Sequence, residues 1–325
     1  MLFSILVANF NNGRYLTECF RSIIDQEYKE WEVIIVDDKS TDNSLKIINE
    51  YINKDERFKL YTNSSNRGCG YTKNKCAQFA NGQILGFLDP DDTLTPNALK
   101  MMVKFHKEKP EVSIITSKYR LFKGENETIT ICDHAGSIPE GESYLSSCKP
   151  LLTSFATFKK KFYKDTIGIN PALKRAVDQD LYLKMEEVGD HFFLDEILYN
   201  YRSHERNISR NENSLKAEYW HTLVIRNSYF RRIKIKSQNK NLTKSQLEKV
   251  FCDYYFKLLK SSFHKSSIKL ILKFLFLFTQ KFKMRTACWY FLFQFSRILF
   301  KRGNLFRRKF IVSFNNTYSE LGYTL

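Results

Sequence analysis

The chain contains no C-x-x-C pair, no His-rich spacing, no internal repeat and no low-complexity linker. Its seven cysteines, Cys19, Cys69, Cys76, Cys132, Cys148, Cys252 and Cys288, are odd in number and scattered. That pattern argues against zinc and against a disulfide framework, and reads as reduced thiols in a cytosolic protein. Apolar runs also stay short: none reaches the roughly twenty residues of a membrane-spanning helix. The first run, Leu2 to Ala8, is cut by Asn9 and has no basic leader, so export is not expected. Acidic residues are outnumbered, 35 against 52 Lys and Arg, which leaves a formal net charge of +17. The balance suits an anionic partner: nucleic acid, phospholipid headgroups or a pyrophosphate-bearing substrate. A length of 325 residues accommodates one large α/β domain with an appendage, or two modest domains, and a core that needs no disulfides.

What is present in the first 120 residues is alternation. Leu2–Ala8 and Glu32–Val36 read as strands, and Leu16, Cys19, Phe20, Ile23 and Ile24 recur at helical spacing. Ser40-Thr41-Asp42 is an N-cap cluster ahead of a second helix, and a short strand follows around Phe58–Tyr61. The pattern then predicts a helix over 68–81, a strand over Gln83–Leu88, a helix over Pro96–His106 and a strand over Val112–Thr116. A βαβαβαβαβ series of this kind implies a mostly parallel, Rossmann-like sheet flanked by helices, with ligands beyond the carboxyl ends of its strands. Residues 121–210 are less regular, with a Gly/Ser-rich stretch, a helix near Asp178–Glu187 and a strand near Phe192–Leu194. From 211 to 325 the composition turns to Lys, Arg, Phe, Leu and Tyr on helical periodicity, with Thr243-x-x-Gln246 as a capping box. The expected division is therefore a domain over 1–210, in two halves at 1–120 and 121–210, and a C-terminal helical extension over 211–325.

Two acid clusters end predicted strands: Asp37-Asp38, and Asp89-Pro90-Asp91-Asp92. An Asp pair in such a turn often only caps the next helix, and that role alone is expected of Asp42. The second cluster differs, because three carboxylates within four residues repel one another and Pro90 stiffens the turn that holds them. A hard divalent cation, Mg²⁺ or Mn²⁺, would relieve the repulsion and bridge to the phosphates of a nucleotide. The stretch Asn66-Arg67-Gly68-Cys69-Gly70-Tyr71-Thr72-Lys73-Asn74 enters a helix with two glycines and two cations, a weak signal on its own for a phosphate or nucleotide edge.

Together these residues resemble the family 2 glycosyltransferases, enzymes of the GT-A fold that move a sugar from a nucleotide diphosphate sugar to an acceptor hydroxyl. The resemblance covers residues 2–210 and is carried by Asn9-Phe10-Asn11-Asn12, Val36 to Asp42, Asn66-Arg67-Gly68 and Phe87 to Asp92. It implies that Ala8, Asp37, Asp38 and Arg67 line the nucleotide and that Lys73 replaces an arginine often found there. It also implies that Asp89-x-Asp91 is a DxD motif in which Asp89 faces ribose and Asp91 binds the metal, with Asp92 sharing that ligation. The family's acidic base motif corresponds to Val177-Asp178-Gln179-Asp180-Leu181: Asp178 falls on the base position, Val177 stands where an acid is usual, and Asp180 is the other available carboxylate. The closing segment Leu198 to His204, with Asn207 and Ser209, resembles one whose Arg202 and His204 approach the diphosphate or metal. The implied reaction is an inverting single displacement, with a UDP-sugar the expected donor and a glycan or polyprenyl-linked acceptor of bacterial surface polysaccharide the expected recipient.

The tail over 243–312 admits three readings: helices packed on the domain, an in-plane anchor on an anionic membrane surface, or a nucleic-acid face with aromatic stacking. Phe, Trp289, Tyr290 and Leu interleaved with cations favour peripheral attachment to the inner face of the cell membrane, and no nucleic acid is expected. Asp89-Pro90-Asp91-Asp92-Thr93 also fits the D-x-D-x-T nucleophile motif of haloacid-dehalogenase-type phosphatases. That motif normally ends the first strand of its domain, whereas here three strands precede it. Asp37-Asp38 similarly resembles a receiver domain, to which the second cluster and the length fit poorly. A basic nucleic-acid-binding protein rests on charge alone.

Overall fold

The computed structural model describes residues 1–123, 127–131, 135–147, 151–152, 155–204, 214–234 and 250; of residues 123, 127–129 and 214–216 only the backbone course is described. Val, Ile, Leu and Phe fill β1 (Phe3–Asn9) and β2 (Trp31–Asp37), which are buried almost throughout. Strands covered on both faces read as continuous apolar runs for this reason. The remaining elements of the first half are α1 (Gly13–Ile24), α2 (Ser44–Ile52), β3 (Phe58–Thr62), α3 (Cys69–Phe79), β4 (Ile84–Phe87), a two-residue β5 (Thr93–Leu94), α4 (Ala98–Glu108) and β6 (Val112–Lys123). The second half adds β7 (Glu127–Ile131), α5 (Tyr144–Ser147), β8 (Thr157–Lys159), α6 (Lys160–Lys164), α7 (Val177–Glu186), β9 (Asp190–Arg202) and α8 (Ser214–Lys234).

The strands form one sheet in the order β3-β2-β1-β4-β8-β6-β9-β5, with β7 paired to β6. The expected parallel arrangement holds for β3-β2-β1-β4 and for β6 with β9. Elsewhere the sheet is mixed: β8 runs antiparallel to both β4 and β6, and β5 and β7 are antiparallel to their partners. Three residues of β8 are too few to show a period, so its insertion left no mark in the sequence. The strand expected near Phe192–Leu194 continues to Arg202, its exposed Asp195 and Glu196 concealing the apolar positions on either side.

Alternate residues of β1 and β2 (Phe3, Ile5, Val7, Val33, Ile35) pack with Leu16, Phe20 and Ile23 of α1 and Leu99 and Met102 of α4 in one buried cluster. Each such side chain contributes about 1.5–3 kcal/mol when fully buried. Helix α3 packs on β1 and β2 through buried Cys76 and Ala77, with the Cys76 thiol directed at Val7 O. Because β1, β2 and β4 run the same way, Ala8, Asp37-Asp38 and Asp89 all emerge on one edge. The described residues from Met1 to Lys234 belong to one compact unit. Helix α8, beyond the expected division at 210, packs on α7 within this unit. The capping box at Thr243 and the basic tail, apart from Val250, lie outside the described residues. No helix among the described residues is long and apolar enough to cross a membrane.

Candidate active site

At the end of β2 both acids are engaged inside the protein. Asp37, with no exposed surface, accepts hydrogen bonds at Oδ1 from Asn9 Nδ2 (2.7 Å) and Ser40 Oγ (2.5 Å), and at Oδ2 from Ser40 N–H (2.9 Å). Asp38 accepts from Asn63 Nδ2 and Arg67 N–H at Oδ1 (both 2.8 Å) and from Gly68 N–H at Oδ2 (2.7 Å). Gly68 has φ 87°, a left-handed conformation open to glycine at no steric cost, so Asp38 fixes the turn into α3. Ala8, paired with Val36 near the end of β1, is half-buried, while the Arg67 side chain is exposed with its guanidinium 4.5 Å from the Tyr71 ring. Asp42 acts as expected, accepting from Ser44 N–H at the start of α2 and also from Gly13 N–H at the start of α1.

Helix α3 lies hard against the segment leading into α7. Gly70 N–H donates to Leu173 O at 3.0 Å, and a Cβ there would fall 2.4 Å from that oxygen. The approach lets buried Lys73 reach two carboxylates, Asp178 Oδ1 at 2.7 Å and Asp89 Oδ1 at 3.2 Å. Burial works against the Lys73 ammonium, but Asp178 and Asp89 outweigh it and hold its pKa well above the usual lysine value. Asp89 is pushed up, first by the protein packed round its carboxyl and then by Asp178 and Asp91, against the opposing pull of Lys73. Helix α7 starts after Ala176, held left-handed at φ 54°, a conformation that costs a non-glycine residue about 1–2 kcal/mol. Of the two candidate bases, Asp178 keeps 41% of its side chain open, whereas Asp180 keeps 5% and is paired with Lys184 at 2.5 Å. Lys184 also donates to Gly168 O at 2.7 Å. Only Asp178 faces the cleft.

At the end of β4 the acids diverge. Asp91 Oδ2 lies 2.8 Å from His204 Nε2, both groups partly open. Asp92 turns the other way: it is 1% exposed, accepting from Tyr199 OH at 2.6 Å and from Arg202 N–H at 2.7 Å. Burial, then repulsion from Asp91 and Asp89, pushes its pKa well above the usual carboxylate value. Each Asp92 oxygen thus accepts from a protein donor, while Asp91 is the acid of this turn set against His204. One carboxylate oxygen and one imidazole nitrogen within hydrogen-bond reach are a donor set that Mn²⁺ or Mg²⁺ accepts, the remaining positions falling to phosphate and water. Among the described residues no group of three or more His, Cys, Asp and Glu side chains could hold an ion unaided. Arg202 donates Nε–H to Asp91 O at 2.8 Å and pairs with Glu18 at 2.5 Å.

Residues 4–168 match the family model of glycosyl transferase family 2, half of the chain. The chain belongs to glycosyl transferase family 2. Among curated relatives of this family, the chondroitin synthase of Pasteurella multocida (strain Pm70) is 29% identical over 73% of this chain and 24% of its own. The hyaluronan synthase of Pasteurella multocida is 30% identical over 64% and 21%. The putative teichuronic acid biosynthesis glycosyltransferase TuaG of Bacillus subtilis is 26% identical over 67% and 86%. This chain thus spans less than a third of the first two. Among solved structures, S. aureus TarS 1-349 in complex with UDP-GlcNAc superposes with a TM-score of 0.59 at 23% identity, covering 78% of this chain and 71% of that one. The mannosyltransferase PcManGT from Pyrobaculum calidifontis, in complex with GDP-Man and Mn²⁺, gives 0.53 at 13% identity over 90% and 83%. The fold is GT-A.

Within this family 2 chain, contacts join Lys73 to Asp89 and Asp178, and Asp91 to Arg202 and His204, at the carboxyl ends of the strands. Asp37 and Asp38 brace the turn after β2 and the entry to α3 through their hydrogen bonds. Asn207 and Ser209 lie outside the described residues. The phosphatase reading fails on position: Asp89 follows the fourth strand and is paired with Lys73 from α3. The sequence reading missed Glu18 and Tyr199, whose partners lie more than a hundred residues away, and no local signal pointed to them. It also missed the Asp180–Lys184 pair, which i,i+4 spacing on a helix makes legible.

Proposed function

We propose that the protein is an inverting, divalent-metal-dependent glycosyltransferase that moves a sugar from a UDP-sugar to a hydroxyl of a glycan or polyprenyl-linked acceptor in surface polysaccharide synthesis. The observation that carries the reading is the open Asp178 carboxylate, 2.7 Å from the Lys73 ammonium that also reaches Asp89. Asp178 takes the proton of the acceptor hydroxyl as its oxygen bonds to the anomeric carbon and the bond to the diphosphate breaks. Asp89 orients the ribose, and Lys73 and Arg202 place positive charge where the leaving group gains negative charge. Asp91 and His204 would hold Mn²⁺ or Mg²⁺, which supplies further charge neutralisation at the diphosphate. Ala8 and Arg67 line the base end, which Asp37 and Asp38 support from behind.

The UDP-bound and UDP-GlcNAc-bound TarS structures support a uridine donor, and the Mn²⁺ complex of PcManGT supports the metal. The net charge of +17 and the aromatic, basic composition beyond residue 243 support an anionic membrane surface as the place of work. The test is transfer by the full chain from a panel of UDP-sugars with Mn²⁺ to oligosaccharide acceptors, the product's anomeric configuration being read by NMR. Inverted product that disappears with EDTA or with Asp178→Asn is expected. Retained configuration, or undiminished transfer in EDTA, would overturn the reading.

A further inference from the structure

One flank of α1 lies against the chain segment that carries the metal-facing and diphosphate-facing groups. Tyr15, in the first turn of α1, stacks on the His204 imidazole with ring centroids 5.2 Å apart and planes 24° from parallel. The Arg14 and Arg202 guanidinium carbons lie 4.4 and 5.1 Å from the same tyrosine ring. Tyr15 and Glu18 stand three residues apart and so share a helix face, and Glu18 pairs with Arg202 Nη2 at 2.5 Å. Neighbouring Leu16, Cys19 and Phe20 are buried in the core, so this flank is fixed by packing that owes nothing to substrate.

His204 lies two residues beyond the end of β9, where the sheet no longer dictates side-chain direction. An imidazole offers a lone pair to a metal only in its ring plane, so whatever fixes that plane governs ligation. A partner on the second ring nitrogen commonly does this, and a stacked aromatic face does it for either tautomer. The geometry points to α1 as a brace: Tyr15 is a positioning residue that keeps the His204 ring edge directed at Asp91, and Glu18 keeps Arg202 over the same turn. The site thereby meets Mn²⁺ and a nucleoside diphosphate already formed. This rests on Asp91 and His204 being the metal ligands.

The experiment titrates Mn²⁺ with UDP into the full chain by calorimetry and records the ¹⁴N modulation of bound Mn²⁺ by pulsed EPR, with His204→Ala as reference. Tyr15→Leu is expected to weaken Mn²⁺–UDP binding by about tenfold and to lose or reduce the nitrogen modulation. Tyr15→Phe, which keeps the flat ring, retains both, and Glu18→Gln weakens binding less while keeping the modulation. If Tyr15→Leu loses the fold, as judged by circular dichroism, Tyr15→Gln serves the same comparison at this half-exposed position. Wild-type affinity and modulation in the folded Tyr15 variant would overturn the brace and leave the metal site standing. Wild-type Mn²⁺ without any nitrogen modulation would overturn the brace together with His204 as a ligand, and His204→Ala would then change nothing.

Discussion

After β2 the chain sets Asp37 beside Asp38; after β4 it sets Asp89, Asp91 and Asp92 within one turn. Both clusters follow buried parallel strands and emerge on the same edge of the sheet. Around the first, the backbone N–H groups of Ser40, Arg67 and Gly68, the Ser40 hydroxyl and the amides of Asn9 and Asn63 give every carboxylate oxygen at least one donor. Around the second, Pro90 has no N–H to give, and Arg202 supplies a backbone donor only to Asp92. Asp89 and Asp91 are left facing a lysine and a histidine across the cleft. The difference teaches that acids at a strand end form a reactive site where backbone donors are withheld, and a structural knot where they are supplied.

The comparison has consequences of graded size. The largest belongs to the open carboxylate on α7: Asp178→Asn should lower kcat by about 10²–10⁴-fold, with the melting temperature and UDP affinity close to wild type. Loss of stability in place of turnover would move Asp178 into the structural class. For the first cluster the signs reverse: Asp37→Ala leaves buried donors without an acceptor and should cost about 2–3 kcal/mol of stability in urea unfolding. Its kcat, measured on the remaining folded protein, should change little. A pH series separates carboxylates from the rest of the core. Buried His106, bonded to Thr157 Oγ1 at 3.0 Å, has its pKa lowered to about 3 by burial first and by Lys159 second. The unfolded chain, with an ordinary histidine pKa near 6.5, binds a proton the folded state refuses, so stability falls as pH drops below that value. Between pH 7.5 and 5.5 His106 should contribute a loss of about 1.4 kcal/mol that His106→Gln removes, while a similar loss from His191, lowered to about 4 by burial, should remain. The smallest effect is expected from Asp92→Asn, which keeps volume and an acceptor. It should change stability by about 1 kcal/mol or less and leave the affinity for Mn²⁺ with UDP intact, whereas a metal ligand would not tolerate it.

The parallel half of the fold was legible because β1, β2 and β4 carry unbroken buried runs and the stretches between them repeat apolar residues at helical spacing. The antiparallel insertion of β8 was not, since three residues show no period and their pairing is fixed by distant partners. Within the site, Asp89, Asp91 and Asp178 could be located from local motifs, but not which oxygens are free. That depends on Lys73 arriving from α3 through the close contact at Gly70, and on Tyr199 and Arg202 arriving from β9. The donors on Asp92, and Asn9 on Asp37, likewise come from distant residues, whereas Ser40 lies only three residues after Asp37. The choice of Asp178 over Asp180 had a local clue in Lys184, four residues on and on the buried side of α7.

The central claim is that the turn after β4 holds a nucleotide diphosphate through a metal while the turn after β2 only supports the site. Calorimetric titration of UDP into the wild type and Asp91→Ala, each with Mn²⁺ and with EDTA, tests it most directly. The account predicts binding to the wild type with Mn²⁺ alone, and none to Asp91→Ala at an unchanged melting temperature. Equal UDP affinity in EDTA, or undiminished binding by Asp91→Ala, would contradict it.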